Sequence, residues 1–411
     1  MVSRPSAAIV LIYHSYRDPL FQNLMLEYLQ TLVKSQGTDF YLITFEHEHY
    51  ALSVVEMRRE QRILRRSGIF WYPVIYHAGS FTVFKKIVDL FQAIVLIGKL
   101  KKLTKAKLLV TFTNLSASIG IICAHLFRLK MLVYCYEPHS DFLVELGIWR
   151  KGSLKHKISK WIELYAGRRA DFVMASTKYV VELLTDLKAK GQVIRAPVSI
   201  DEQAFSYKPR GREKVRRKYG LMNRHVVLYL GKFGYLYYNE EIAKLCKTLF
   251  DNIDNTFFFI VTSNDHEAIR DMFLENGLPE ESFSVTGNLS YDEVKDYISA
   301  ADIGLSAVPP TSSQKFRSPT KVAEYLLCGL PYITCEGVSE DDIYAKKYNV
   351  GAVVKSFEKS DILECIPKIK YLLNEEKVSK RERCRDVGVL YRGKSNIDHL
   401  FQQFFREAYF H

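Results

Sequence analysis

The sequence predicts an α/β chain built from two doubly wound parallel-sheet domains. Apolar runs of strand length alternate with longer segments of helical period, and this rhythm breaks at one basic, polar stretch before starting again. The length of 411 residues and a hydrophobic content of 48% suit two such domains. No short-period repeat or low-complexity tract is apparent.

In the first half, strands are expected at 7–13, 40–45, 70–76, 108–112, 131–136 and 172–175. Helices are expected between them at 21–35, 54–66, 84–103, 116–127 and 154–168. Residues 199–224 are basic and polar, and the interdomain linker is placed near 197–207. The pattern restarts with strands at 226–230, 257–261, 283–286, 303–306 and 332–335, separated by helices at 240–250, 266–275 and 291–299 and a short one after Pro319. A Phe-rich helical stretch at 397–409 closes the chain. The domains are therefore expected at 1–198 and 199–390, with a last segment at 391–411.

The net charge of +12 is uneven. Up to Val198 there are 28 Lys and Arg against 15 Asp and Glu, a net of +13, while the remainder sums to −1. One half should therefore face something acidic. Two segments concentrate the charge: MRREQRILRRS at 57–67, and 83–107, where Ile87, Leu90, Phe91, Ile94 and Val95 alternate with seven lysines. Both fit amphipathic helices on an anionic membrane surface. They fit equally well core-packed helices with a solvated outer face. No nucleic-acid module accompanies the charge, so no nucleic-acid partner is expected.

The seven cysteines are scattered without a CxxC pair, which suggests neither a disulfide framework nor a zinc site. The apolar run at 7–13 lacks a following small-residue cleavage site and reads as a first strand. No stretch has the length and apolarity of a membrane span. A cytoplasmic protein, peripheral on the cytosolic membrane face, is the expectation.

The most informative run is SPTKVAEYLLCGLPYITC at 318–335. Pro319 suits a first helical turn, whose free amides attract phosphate; Ser318 and Thr320 flank that turn. Lys321 adds a cation, and Glu324, one turn on, can accept hydrogen bonds from vicinal ribose hydroxyls. Gly329 ends the helix and Pro331 leads into a buried strand. The competing reading is a surface ion pair between Lys321 and Glu324. Earlier, the strand at 226–230 is followed by Gly231, which permits close backbone approach, and by Lys232, a cation at the carboxyl end of the sheet. Neither half carries GxGxxG after its first strand, which argues against a dinucleotide-dependent oxidoreductase. In the first half, the strand at 131–136 runs into Glu137, Pro138, His139, Ser140 and Asp141, and His14 follows the first strand. His139 and Asp141 have an alternative as the cap and first-turn acid of the next helix. Asp341 and Asp342 read as part of a solvated acidic loop rather than a metal site.

These segments, together with GNLSYDEV at 287–294, resemble the retaining glycosyltransferases of the GT-B fold, specifically glycosyltransferase family 4. The resemblance implies two Rossmann-like domains facing a cleft, with a C-terminal helix crossing back to the N-terminal domain. It implies a nucleotide-diphosphate-sugar donor substrate, a glycan or lipid-linked glycan acceptor, and no metal or other cofactor. Glu324 would bind the donor ribose, Lys232 the diphosphate, and Gly287, Asn288 and Leu289 would lie against the base. Ser318 and Thr320 complete the donor side. Lys232 and Lys321 would stabilise the leaving phosphate and His139 would lie near the transferring sugar, with His14 and Glu137 on the acceptor side. The chain departs from the pattern in three places, the first being the loop 13–19, which has no Gly where the family commonly has a glycine-rich turn. Phe316 stands where most members have a second Glu, and no second Lys follows Lys232 in GKFGYLYYNEE. A nucleotide-sugar 2-epimerase and a non-catalytic scaffold of the same fold are the competing functions.

Overall fold

A computed structural model describes residues 6–19, 21–77, 82–287 and 289–410. The chain divides into two compact units, Met1–Pro197 with Asp398–His411, and Val198–Ile397.

Unit 1 is a parallel sheet of seven strands: β1 (Ser6–Ile12), β2 (Thr38–Glu46), β3 (Ile69–Ile75), β4 (Leu108–Phe112), β5 (Lys130–Tyr136), β6 (Phe172–Ala175) and β7 (Gln192–Arg195). Their order is β3-β2-β1-β4-β5-β6-β7, so the direction of winding reverses between β1 and β4. Ile9 of β1 is registered between Tyr41 and Leu109. The strands are apolar on both sides because helices cover both faces. Gly120 of the helix Thr113–Phe127 shows one face: a β-carbon there would meet Thr111 Cγ2 at 2.5 Å and Met131 Cε at 3.4 Å. Tyr134 points to the other face, with its ring 5.1 Å from those of Tyr28 and Phe401.

Phe401 belongs to the last helix, Lys394–Phe410, and accounts for the Phe-rich ending. Phe401 stacks on Tyr28 at 5.1 Å, Phe404 meets Phe172 at 5.1 Å and Phe405 meets Phe40 at 5.6 Å. The chain's end thus completes the core of the unit that its beginning starts.

Unit 2 is a parallel sheet of six strands: β8 (His225–Leu230), β9 (Thr256–Val261), β10 (Phe283–Thr286), β11 (Ile303–Leu305), β12 (Tyr332–Cys335) and β13 (Gly351–Val354). Their order is β10-β9-β8-β11-β12-β13, and the winding reverses between β8 and β11. One hydrophobic cluster centres on Val227, Ile260 and Ile333, the other on Val226, Phe259 and Tyr332. These alternate along β8, β9 and β12, so the clusters occupy opposite faces of the sheet.

Part of the basic, polar stretch 199–224 is a helix, Pro209–Lys218. Arg212 donates to the carbonyls of Ser299, Ala300 and Ala301 at 2.8–3.1 Å and to Asp302 at 2.7 Å. Arg216 is buried, donates to the Ala300 carbonyl at 2.8 Å and pairs with the other oxygen of Asp302. Two cations of the basic stretch thus satisfy the end of the helix Tyr291–Ala300.

Candidate functional site

In open α/β sheets, ligands bind at the carboxyl ends of the strands where the winding reverses. In unit 2 that place lies between the loop after β8 and the segment joining β11 to β12. Gly231 and Lys232 form the first. A β-carbon on Gly231 would lie 2.9 Å from the Tyr229 hydroxyl, which itself donates to the carbonyl of Lys232. The side chain under the turn therefore fixes the turn's backbone. Lys232 is exposed, and its ammonium has no hydrogen-bond or ion-pair partner among the described residues.

The second side is the helix Thr320–Leu327, which starts behind Pro319 and ends at Gly329, whose φ of +73° favours glycine. Tyr325 locks this helix to the sheet: its hydroxyl accepts from Leu230 N–H at 3.2 Å and donates to the Leu305 carbonyl at 3.3 Å. It therefore bridges β8 and β11 where they diverge. Burial pushes the Tyr325 phenol far up, so it stays protonated.

Thr320 and Lys321 are half-buried on the first turn. Lys321 Nζ lies 3.1 Å from Glu324 Oε2, with Lys321 32% and Glu324 12% exposed. The ion pair weighed from the sequence is thus formed. It engages one carboxylate oxygen and no hydrogen bond to the other, Oε1, is present among the described residues. Ser318 turns inward instead: its buried hydroxyl accepts from Val198 N–H at 3.1 Å and from Arg392 Nη1 at 2.5 Å. Phe316 is half-buried, with Lys315 Nζ 5.0 Å from its ring.

After β10, a β-carbon on Gly287 would come within 2.6 Å of His266 Nε2 and closer still to the Thr262 carbonyl. Only glycine fits there. Asn288 lies outside the described residues. Leu289 is half-buried against the core, and Ser290 caps the next helix in a capping box with Glu293.

Asp341 and Asp342 correct the sequence reading. They are not in a solvated loop but open the helix Asp341–Tyr348, and both are buried. Asp341 receives Arg392 Nη2 at 3.3 Å and the Tyr391 hydroxyl at 3.0 Å. Burial outweighs these partners and pushes its carboxyl up to about 6. Among the described residues there is no cluster of three or more His, Cys, Asp or Glu arranged to hold a metal ion.

In unit 1 the winding reverses between β1 and β4, and His14 lies just beyond β1. Its Nδ1 is 3.3 Å from Asp18 Oδ2, and the ring is 6.4 Å from Phe112. Glu137 and His139 are half-buried beyond β5. His139 occupies the cap position of the helix Ser140–Glu145 without a capping bond from its side chain, and its ring lies 5.3 Å from Phe142. Asp141 is the first-turn acid of that helix; it binds Lys160 at 2.8 Å and His156 at 3.0 Å.

The residue missed from sequence is Glu163. Its buried carboxylate accepts from the backbone N–H groups of His139 and Ser140, the Ser140 hydroxyl and the Asn114 amide. Burial raises its pKa despite those four bonds. A single carboxylate therefore holds the turn that carries Glu137 and His139. The structure brings Gly231, Lys232, Gly287, Thr320, Lys321 and Glu324 to the carboxyl edge of unit 2, and His14, Glu137 and His139 to that of unit 1.

No family model matches the sequence, and no curated protein matches it. Solved structures do. Sucrose-phosphate synthase from Thermosynechococcus elongatus is 16% identical with a TM-score of 0.69, over 98% of this chain and 99% of that one. A glycosyltransferase from Rickettsia africae is 13% identical with a TM-score of 0.69, over 98% and 99%. Anabaena HepE in complex with UDP is 11% identical with a TM-score of 0.67, over 98% and 100%. The chain has the GT-B fold. Its two Rossmann-like sheets are the paired units of that fold, matched here from end to end.

Proposed function

We propose that this GT-B protein is a retaining glycosyltransferase that moves a hexosyl group from a nucleoside-diphosphate sugar to a hydroxyl of a glycan or lipid-linked glycan, without a metal. The observation that supports the reading is the position of Lys232 just after β8 and of the helix Thr320–Leu327, with Lys321 and Glu324, in the segment joining β11 to β12, on the two sides of the winding reversal of unit 2. HepE, which shares the fold, is known in complexes with UDP and with UDP-glucose.

In this reading, Glu324 Oε1 accepts from the ribose hydroxyls while Lys321 holds Oε2. Gly287 to Leu289 offer backbone groups to the base. The bond between the anomeric carbon and the diphosphate oxygen breaks as the acceptor oxygen bonds that carbon from the same face. Negative charge grows on the departing phosphate, where Lys232, Lys321 and the helix amides stabilise it; such contributions are typically about 3 kcal/mol per well-placed donor. The acceptor proton passes to the departing phosphate oxygen. His139, held through Glu163, is assigned to the transferring sugar, and His14 and Glu137 to the acceptor.

The test is a thermal-shift panel with UDP, GDP, ADP, CMP and dTDP, because a ligand of the native state raises the melting temperature by mass action. A shift selective for one diphosphate is expected. No shift with any of them would overturn the donor site. Epimerised nucleotide sugar formed without an acceptor would overturn the transfer reaction, and loss of turnover to a chelator with rescue by a divalent ion would overturn metal independence.

A further inference from the structure

The helix Thr113–Phe127 packs between Thr82–Thr104 on one side and Leu154–Arg169 on the other, forming one outer layer of unit 1. Its outward side is unusually apolar. Ile87, Phe91 and Val95 follow each other at four-residue spacing on the first helix, and Leu154, Ile158 and Trp161 form a matching stripe on the third; all are exposed, Phe91 by 65% and Trp161 by 64%. Leu115 and Leu126 of the middle helix are exposed between them. Contiguous exposure of this kind marks a binding surface rather than scattered surface residues.

Cations rim the layer. At the end of the first helix, Lys102, Lys105, Lys107 and Arg128 line an open depression of about 400 Å³. Lys101 also lines it, with its ammonium on the Phe127 carbonyl. The favourable field at a helix C-terminus accounts for a lysine or two in the last turn, but not for Lys107 and Arg128, which arrive from other segments. At the other edge, Lys155 lies 4.7 Å from the Trp149 ring, beside exposed Ile148, and Trp161 stacks on Tyr165 at 5.4 Å. Apolar stripes, interfacial Trp and Tyr, and an open basic depression able to take an anionic headgroup are the three components of a surface that lies on anionic lipid.

We propose that this three-helix layer docks on an anionic phospholipid bilayer, with Phe91 and Trp161 entering the headgroup boundary and the Lys102–Lys105–Arg128 depression receiving a lipid phosphate. The other basic segment lies elsewhere in the fold. The helix Val54–Arg66 joins β2 to β3, where the chain winds in the opposite direction, so a right-handed crossover puts it on the other face of the sheet. Its arginines cannot share a planar bilayer with the lysines of Thr82–Thr104. The proposal involves no residue of the donor site and is independent of the transfer reaction.

The test is co-sedimentation of the full chain with phosphatidylcholine vesicles with and without phosphatidylglycerol. Binding to the anionic vesicles alone is expected, with a blue shift of tryptophan emission that Trp161→Phe diminishes. The pairs Phe91→Ser with Trp161→Ser, and Lys102→Glu with Lys105→Glu, should each lower partitioning at least about tenfold, while Arg58→Glu with Arg62→Glu should leave it within about twofold. All variants are first checked for an unchanged melting transition. The proposal is overturned if anionic vesicles fail to bind the wild type, or if only the arginine pair abolishes binding. It is also overturned if the apolar substitutions instead dissolve a self-association seen without lipid, which would assign the layer to a second copy of the chain.

Discussion

Gly304 lies directly against the ring of Tyr325, and a β-carbon at that glycine would stand 2.6 Å from ring Cδ2. The missing side chain on β11 is what lets the helix carrying Lys321 and Glu324 approach the sheet. Gly304→Ala should therefore cost about 1–3 kcal/mol by overpacking, read as a lower urea midpoint, and should weaken nucleotide binding by displacing Glu324. Tyr325→Phe keeps the ring but leaves the buried Leu230 N–H unpaired, at about 1–3 kcal/mol. If nucleotide affinity survives Gly304→Ala unchanged, the helix does not set the position of Glu324.

Glu324 and Lys232 should separate in kinetics. Glu324→Ala removes charge-assisted hydrogen bonds to ribose and should weaken binding of the nucleoside diphosphate by about 1.5–3 kcal/mol. Lys232→Ala removes a charge needed most as the phosphate departs, so kcat should fall more than affinity. Titration calorimetry beside steady-state rates distinguishes the two, and equal losses for Lys232→Ala would make it a simple anchor.

Glu163→Ala should disorder the turn after β5 while leaving the unit 2 site intact. It strands the buried amides of His139 and Ser140, at about 1–3 kcal/mol each. The expected outcome is reduced transfer with unchanged affinity for the nucleoside diphosphate. Full transfer activity in a folded variant would separate His139 from the chemistry.

Asp302 supplies a pH signature. Burial alone would raise its carboxyl, but Arg212 and Arg216 outweigh burial and hold it below its ordinary value of 3.8. A depressed folded-state pKa contributes stability that is present above 3.8 and lost as pH falls through the lower folded value. Asp302→Asn leaves two cations without their anion and should cost about 3–5 kcal/mol at neutral pH. That deficit should shrink as the wild type is itself protonated, so denaturation curves of the two proteins should converge in strong acid. A deficit independent of pH would assign the cost to packing.

The strands were legible because parallel strands covered on both faces are continuously apolar, as in AAIVLI and FFFIV. The helix Thr320–Leu327 was legible because its cap, cation, carboxylate and terminating glycine sit within a dozen residues. What escaped depends on partners distant in sequence. Glu163, in WIELYAGRR, has the spacing of a solvated helix face, and only the return of Asn114 and His139 from elsewhere makes it a core group. Asp341 in SEDDIYAKK and Arg212 in PRGREKVRRK likewise read as surface charge until Arg392 and Asp302 bury them. The strands QVIR and GAVV are too short to stand out from their surroundings.

Arg392 donates to the Val198 carbonyl at 3.2 Å, and Ile200 forms a parallel bridge opposite Gly393, its N–H donating to the Arg392 carbonyl at 2.9 Å and its carbonyl accepting from Lys394 N–H at 3.0 Å. The carboxylate of Glu202 accepts from Lys394 N–H at 2.8 Å, beside the same bridge. Unit 2 thus enters and leaves at a single stitched point. Topologically it is a guest domain inserted into a host whose own sequence is interrupted at Pro197 and resumes at Asp398. Such a guest carries its own closure, so its folding need not wait for the host's last helix, whereas the host's core is unfinished until the final phenylalanines arrive.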